Sequence, residues 1–246
     1  RQVLTSLEVA AALADPGPIE LRHAEAALST SAVRYGRDDH YDVVSAFIKS
    51  MRGSDPDASI YWLARMLEAG EDPRFVARRI VIFASEDVGM ADPQALVVAT
   101  AAAHALELVG LPEAQLNLSQ AVIHLATAPK SNSAATAIWQ ARQDVADGAL
   151  GEVPAHLRGT GYQGATTLGH GVGYEYPHDH EHDQLGAWVA QQYLPHGLAD
   201  RTWYHPSTHG EERAVGARLR ARHRANDGAM DGDTDGNEGE EEAVTR

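Results

Sequence analysis

The chain has 246 residues, enough for one large domain or two small ones and enough to bury a core without a metal or a disulfide. It contains no cysteine, so disulfide scaffolds, thiol catalysis and cysteine-ligated metal sites are excluded. The net charge is −15, and the residues before Asn226 still hold 27 acidic against 19 basic side chains. An overall electrostatic footprint for nucleic acid is therefore absent, and no apolar run is long enough to predict a membrane span.

Phosphate-binding loops are also missing. The two lysines, Lys49 and Lys130, do not follow the glycine that a P-loop requires. The Gly-rich run 159–164 has the spacing of a dinucleotide fingerprint, but no predicted strand precedes it. The chain alone is therefore expected to be inactive as an ATPase and to bind no cofactor. It begins without Met, and we interpret it as a piece of a longer protein or as a processed product.

Helical periodicity extends from Arg1 to about Asp147. Asp-Pro pairs open several of the predicted helices, because Asp accepts from the free N–H groups of the first turn and Pro fits the first helical position. Short connections between apolar helices are typical of a compact all-α array. The predicted helices cover residues 3–14, 20–28, 41–51, 112–127 and 134–147, and three more begin at the Asp-Pro pairs 55–56, 72–73 and 92–93. Ser131 or Ser133 is expected to cap the helix over 134–147. A polar hinge is predicted over 29–40.

The sequence after Gly148 is rich in glycine and histidine and has little periodicity, which predicts a long ordered loop. A short helix is expected over 185–194 and a short strand over 202–204. The final helix is predicted over 211–224, with a basic end that suits the helix dipole. From Asn226 onward the Gly, Asp and Glu composition predicts disorder.

A run of alternating histidines and acids spans residues 178–183. Imidazole and carboxylate groups can bind zinc or nickel, which makes His178, His180 and His182 weak candidate ligands. Neighbouring residues on one loop fix coordination geometry poorly, so a solvated loop is the alternative.

A turn at Ala128–Asn132 places one positive charge and several polar groups before a predicted helix. A helix N-terminus of this kind can hold an anion such as a DNA phosphate, which makes Lys130, Ser131 and Asn132 DNA-binding candidates. Ordinary helix capping is the alternative interpretation.

Two arginines, Arg78 and Arg79, interrupt an otherwise apolar helix. A helix that is apolar nearly all round is buried or lies at an interface, and arginine there often forms ion pairs between helices or subunits. Both are candidate interface residues.

Several segments, in unbroken order over about residues 1–215, resemble the C-terminal half of the replication-associated recombination protein A family. These are AAA+ ATPases of the clamp-loader clade, with the Werner-helicase-interacting ATPase as the eukaryotic counterpart. The segments that carry the resemblance are His40–Ala58 (HYDVVSAFIKSMRGSDPDA), Tyr61–Met66 (YWLARM), Glu86–Gly89 (EDVG), Ala128–Asn132 (APKSN), Val153–Arg158 (VPAHLR) and Tyr174–Asp179 (YEYPHD).

The resemblance implies a DNA-dependent ATPase that acts in replication-fork maintenance, recombination and DNA repair. It implies ATP and Mg in the full-length parent, a cytoplasmic, nucleoid-associated location, and no membrane partner. The implied partners are the chain itself, as a homotetramer, DNA ends or single-strand gaps, and single-strand-binding or other replisome proteins. Arg1 matches the sensor-2 arginine of the AAA+ lid, which contacts ATP. The extra residues 180–183 and the acidic tail depart from the family pattern.

The predicted fold class is all-α, and two functional hypotheses remain. The first is the lid and tetramerisation region of a DNA-dependent AAA+ ATPase. The second is a free-standing helical interaction protein with a metal-binding His-rich loop. The predicted organisation is an AAA+ lid remnant over 1–38, a helical oligomerisation domain over 39–150, a loop-rich extension with a terminal helix over 151–225, and a disordered acidic tail over 226–246.

Overall fold

The computed structural model describes residues 2–14, 17–29, 37–182 and 185–232. Helices dominate these residues, which confirms the predicted all-α class. The chain divides into two compact units, the first made of Arg1–Ser85 with Gln94–Ala128 and the second of Glu86–Pro93 with Pro129–Arg246. Within the described ranges, no helix is both long and apolar enough to cross a bilayer.

The first unit contains seven α-helices among its described residues. Asp55 and Asp72 cap two of them as predicted, accepting from the backbone N–H groups of Ala58 and Arg74. The third helix begins at Arg37, before its predicted start, and residues 30–36 of the predicted hinge lie outside the described residues. The helices are α1 (Gln2–Ala14), α2 (Leu21–Ser29), α3 (Arg37–Arg52), α4 (Pro56–Glu68), α5 (Pro73–Phe83), α6 (Gln94–Val109) and α7 (Ala114–Thr127).

Helix α7 forms the centre of the first unit and packs against α3, α4, α5 and α6. Its fully buried side chains recur at helical spacing along one face, so this face is apolar from end to end. The packed helices add Phe47, Met51, Met66 and Ile80 to the same core. The buried residues of α7 are Ala114, Leu118, Ala121, Val122, Leu125 and Ala126.

Helix α5 does not run straight into α6. It continues as a π-helical turn over Ala84–Val88 and a 3-10 turn over Gly89–Ala91. Gly89 has a φ of +52°, and a Cβ there would lie 3.0 Å from the Ser131 carbonyl oxygen. Glycine is therefore required where this segment passes the turn at Ser131.

The second unit is built on two helices, α8 (Ser133–Ala146) and α9 (Glu212–Gly232). Between them the chain consists of loops, short 3-10 turns and one antiparallel hairpin, β1 (Glu181–His182) with β2 (Gly186–Ala187). The predicted long loop is therefore ordered by local turns. Residues 183 and 184 lie outside the described part of the chain.

Three sequence predictions for the second unit were wrong. The expected helix over 185–194 is β2 followed by irregular chain, because Gly186 has a φ of +70° and the Gln191 amide bonds the backbone of Glu175. The expected strand over 202–204 has no neighbouring strand to pair with among the described residues. The last helix runs to Gly232, past its predicted end at 224 and past Asn226, where disorder was expected to begin. Ala225, Ala229 and Met230 favour this continuation, whereas Asn226, Asp227 and Gly228 oppose it.

Candidate functional site

A buried carboxylate organises the second unit. Glu212, at the start of α9, is fully buried. It accepts a hydrogen bond from Ser131 Oγ at 2.6 Å, one from Ser133 Oγ, one from the Tyr204 hydroxyl at 3.0 Å, and one from the Ser207 backbone N–H at 2.9 Å. We refer to Glu212, Ser131, Ser133, Tyr204 and Ser207 as the Glu212 cluster.

The cluster keeps Glu212 ionised. Burial acts to raise the pKa of this carboxyl, but hydrogen bonds from Ser131, Ser133 and Ser207 offset burial and lower it to about 2. The pKa of the Tyr204 phenol changes in the opposite direction. Burial, the hydrogen bond to Glu212 and the charge of Glu212 raise the pKa of Tyr204 to about 12. At neutral pH the cluster therefore holds one negative charge and a protonated phenol.

The negative charge lies at the N-terminus of α8. Asn132 occupies the N-cap position without a side-chain capping bond, and Ser133 is the first helical residue. Ser131 Oγ accepts from the Ser133 N–H at 3.3 Å and donates to Glu212. A carboxylate is favourable at the positive end of a helix dipole, which suits the position of Glu212 next to the start of α8.

A cleft of about 280 Å3 opens beside the cluster. Lys130 lies in this cleft and is half-buried. Burial lowers the pKa of its ammonium group, and the negative charge of Asp87 offsets part of this effect. The Lys130 carbonyl contacts His209 Nδ1 at 2.9 Å, and the Trp203 indole N–H donates to Asp144 at 2.9 Å. We call this the Lys130 cleft; its lining is Lys130, Ser131, Asn132, Ser133, Thr136, Trp203, His205, Ser207 and His209.

The structure separates the roles of the three DNA-binding candidates. Lys130 and Asn132 line the cleft with polar groups next to solvent. Ser131 is buried, and its hydroxyl is used by Glu212. A phosphate contact at this turn stays a prediction, and Lys130 and Asn132 are the residues positioned to make it.

The two candidate interface arginines lie on α5 of the first unit. The Arg78 side chain is 61% exposed, with its guanidinium 4.0 Å from the Asp72 carboxylate. Arg79 is half-buried and stacks 5.1 Å from the centre of the Phe75 ring. Its Nε atom is buried and has no hydrogen-bond partner among the described residues.

Arg78 also lines a groove of about 460 Å3 between α5 and α6. One wall is fixed by Arg74, whose guanidinium donates two hydrogen bonds to the Glu107 carboxylate at 2.7 and 2.6 Å. The rest of the lining is largely apolar. We call this the α5–α6 groove; its lining is Arg74, Ala77, Arg78, Val81, Ile82, Ala103, His104, Leu106 and Glu107.

The histidine run does not converge on one point in the described part of the chain. His178 packs against the Tyr176 ring, and His180 Nε2 lies 3.3 Å from the Glu175 carboxylate. The side chain of His182 lies outside the described residues. Within those residues, no group of three potential ligands is placed to hold a metal ion.

Glu212 was not predicted from the sequence, and Arg1 was predicted but cannot be located in the structure. Arg1 lies outside the described residues, so its assignment to ATP binding stays a prediction. Glu212 carries no local signal, because two of its hydroxyl donors are 79 and 81 residues away in the sequence. A glutamate in the first turn of a predicted helix reads as an ordinary exposed residue.

Comparison with known proteins gives two consecutive family matches. Residues 1–52 match the AAA C-terminal domain, and residues 53–223 match the MgsA AAA+ ATPase C-terminal family.

The chain is 55% identical over 223 residues to an uncharacterized AAA domain-containing protein of Mycobacterium tuberculosis, covering 89% of this chain and 48% of the relative. It is 45% identical over 195 residues to replication-associated recombination protein A of Bacillus subtilis, covering 78% of this chain and 45% of that protein. It is 39% identical over 169 residues to ATPase WRNIP1 of Dictyostelium discoideum, covering 69% of this chain and 19% of that protein. The chain spans less than half the length of each relative.

Proposed function

The chain belongs to the MgsA AAA+ ATPase C-terminal family, and we propose that it is the lid and tetramerisation region of a DNA-dependent AAA+ ATPase that acts in replication-fork maintenance, recombination and DNA repair. The observation that carries this proposal is the pair of family matches in order, 1–52 and 53–223. The names of the relatives from Bacillus subtilis and Dictyostelium discoideum, a replication-associated recombination protein and an ATPase, agree with it.

The lid role is proposed for the N-terminal helices. Helices α1 and α2 pack on each other and fall within the AAA C-terminal domain match. A lid of this kind closes over ATP and Mg bound by a preceding nucleotide-binding half, with Arg1 as the guanidinium that reaches the phosphates. ATP and Mg are therefore proposed for the longer protein, and none for this chain alone.

The tetramerisation role is proposed for the helical domain predicted over residues 39–150. Helix α6 exposes Val97, Ala101, His104 and Leu108 at helical spacing, and Leu108 is 87% exposed. Ile82 of α5 is also exposed and lines the α5–α6 groove together with His104. Exposed apolar side chains grouped on neighbouring helices mark a protein contact more often than a solvated face. A second copy of the chain is the partner that the family relationship favours.

Partners and location follow from the same proposal. DNA ends or single-strand gaps are the proposed stimulus for ATP hydrolysis, and single-strand-binding protein or other replisome proteins are proposed contacts. A cytoplasmic, nucleoid-associated enzyme would meet all of them.

Size-exclusion chromatography with light scattering tests the assembly directly. The 246-residue chain should elute as a particle of four times 26.4 kDa without added nucleotide or metal. A monomer at every concentration tested would overturn the tetramerisation role. A tetramer that forms only after zinc or nickel is added would favour the metal-binding interaction protein instead.

A further inference from the structure

Helix α9 carries an unusual charge distribution. Residues 213–226 contain five arginines and no acidic residue, in a chain whose net charge is −15. We propose that Arg213, Arg220 and Arg224, which we call the arginine stripe, bind the phosphodiester backbone of single-stranded DNA. The inference rests on the proposed function only for the identity of the polyanion, and the site itself is argued from the geometry of the second unit.

The three arginines share one face of the helix. Spacings of seven and four residues return nearly to the same angle at 3.6 residues per turn. All three side chains are exposed, whereas Glu212 and Gly216 mark the buried side of α9. At a rise of 1.5 Å per residue, the stripe is about 16 Å long, the length of a few nucleotides of extended single strand.

The stripe has no internal counter-charge among the described residues. None of its three guanidinium groups lies within 4.0 Å of a described carboxylate, and Arg213 Nε bonds only the Thr208 carbonyl, at 3.4 Å. Arg222 differs, because it is half-buried and donates to the Leu185 carbonyl at 3.2 Å. Arg220 and Arg224, four residues apart on one face, repel each other, and a polyanion relieves that repulsion.

The stripe leads into the Lys130 cleft. Arg213 contacts the Thr208 carbonyl, and the next residue, His209, contacts the Lys130 carbonyl. The phosphates of one strand can therefore follow α9 and reach Lys130 at the end of the stripe. The cleft has a volume of about 280 Å3, which suits a single nucleotide, and Trp203 is part of its lining, where a base could stack on an aromatic ring. These dimensions favour a single strand.

The acidic surface elsewhere does not prevent such a contact. At about 0.1 M ionic strength, charges more than roughly 10 Å apart are largely screened. Direct contact with the arginines therefore decides affinity at ordinary salt. Arginine also donates two parallel hydrogen bonds to one phosphate, which lysine cannot do.

Fluorescence anisotropy of a labelled oligothymidylate with the 246-residue chain tests the proposal. The variant R220Q/R224Q removes two charges of the stripe. The variant R22Q/R142Q removes two exposed arginines elsewhere and matches it in net charge. Loss of two phosphate contacts should reduce the steepness of log K against log salt concentration by about 1.4. If parent and variant bind equally at about 1 M salt, the variant should bind roughly 25-fold more weakly at about 0.1 M salt.

The stripe is supported if R220Q/R224Q shows this loss and R22Q/R142Q keeps the parental slope, with both variants melting as the parent does by circular dichroism. Equal slopes in the two variants would overturn it, and a duplex that binds as tightly as the single strand would overturn the single-strand assignment. Light scattering of the same samples separates this result from the proposed function, because a tetramer that ignores DNA leaves the tetramerisation role standing.

Discussion

Ser131 and Glu212 are 81 residues apart in the sequence, yet the Ser131 hydroxyl donates to the Glu212 carboxylate at 2.6 Å. This contact ties the start of α9 to the turn that precedes α8. Both groups are buried, so neither can exchange its partner for water without opening the second unit.

Replacing Glu212 with Gln should destabilise the second unit by about 2–3 kcal/mol, because hydroxyl and N–H donors then face an amide that is neutral and itself a donor. Urea unfolding followed by circular dichroism measures the loss. The neighbouring exposed Glu211 provides the control, since Glu211→Gln changes the same charge without the buried contacts. Equal losses in the two variants would contradict the structural role of the cluster.

The Glu212 contribution should depend on pH in a defined direction. The folded pKa is about 2 and the ordinary value is 4.5, so the unfolded chain takes up the proton first as the pH falls. The stabilisation is therefore complete above about pH 4.5 and is lost as the pH falls toward 2. At 1.36 kcal/mol per pKa unit, its full size is of order 3 kcal/mol.

Unfolding free energies of the parent and Glu212→Gln between about pH 6 and pH 3 measure this dependence. The difference between the two proteins should shrink steadily below about pH 4.5. A difference that stays constant across the range would show that Glu212 has an ordinary pKa in the folded chain.

The predicted interface can be tested on Arg78. Its side chain is exposed, so Arg78→Glu should change folding stability by no more than about 0.5 kcal/mol while reversing a charge in the α5–α6 groove. Light scattering should show that the tetramer dissociates. The control Arg142→Glu makes the same charge change at an exposed position on α8. A tetramer unaffected by Arg78→Glu would move the interface away from this groove.

Arg79 is a less selective position for the same experiment. Its Nε is buried and its guanidinium stacks on Phe75, so Arg79→Glu buries a carboxylate as well as reversing a charge. We expect this variant to dissociate the tetramer and also to lower the melting temperature. Only a dissociated species that still melts cooperatively would implicate Arg79 in the interface.

Local signals predicted the first unit well. The Asp55 and Asp72 caps act within three residues, and the apolar spacing of α7 needs no distant partner to be recognised. The second unit depends on distant contacts instead. The Trp203 indole is fixed by Asp144, 59 residues away, and Glu212 by Ser131, 81 residues away in the turn before α8. Neither pairing leaves a pattern in the local sequence, so the cluster and the irregular chain near it could not be predicted.

Arg1 supplies a prediction for the longer protein. In a chain that carries the nucleotide-binding half, Arg1→Ala should lower DNA-stimulated ATP turnover far more than it lowers the melting temperature, because the guanidinium stabilises charge on the phosphates. Gln2→Ala provides a control at the adjacent position. Unchanged turnover in Arg1→Ala would rule out the sensor-2 assignment.

The acidic tail gives the last prediction. Six acids lie between Asp233 and Glu242, shortly after the arginine stripe in the sequence, and they can compete with phosphate for its guanidinium groups. Removing residues 233–246 leaves α9 intact to Gly232 and should raise oligothymidylate affinity and steepen its salt dependence, because DNA then releases more counterions on binding. A full-length tail with the six acids changed to Asn or Gln should behave like the deletion. In the R220Q/R224Q background the deletion should gain much less, since the competed groups are gone. Identical binding with and without the tail, at low and at high salt, would leave the tail only a role in solubility.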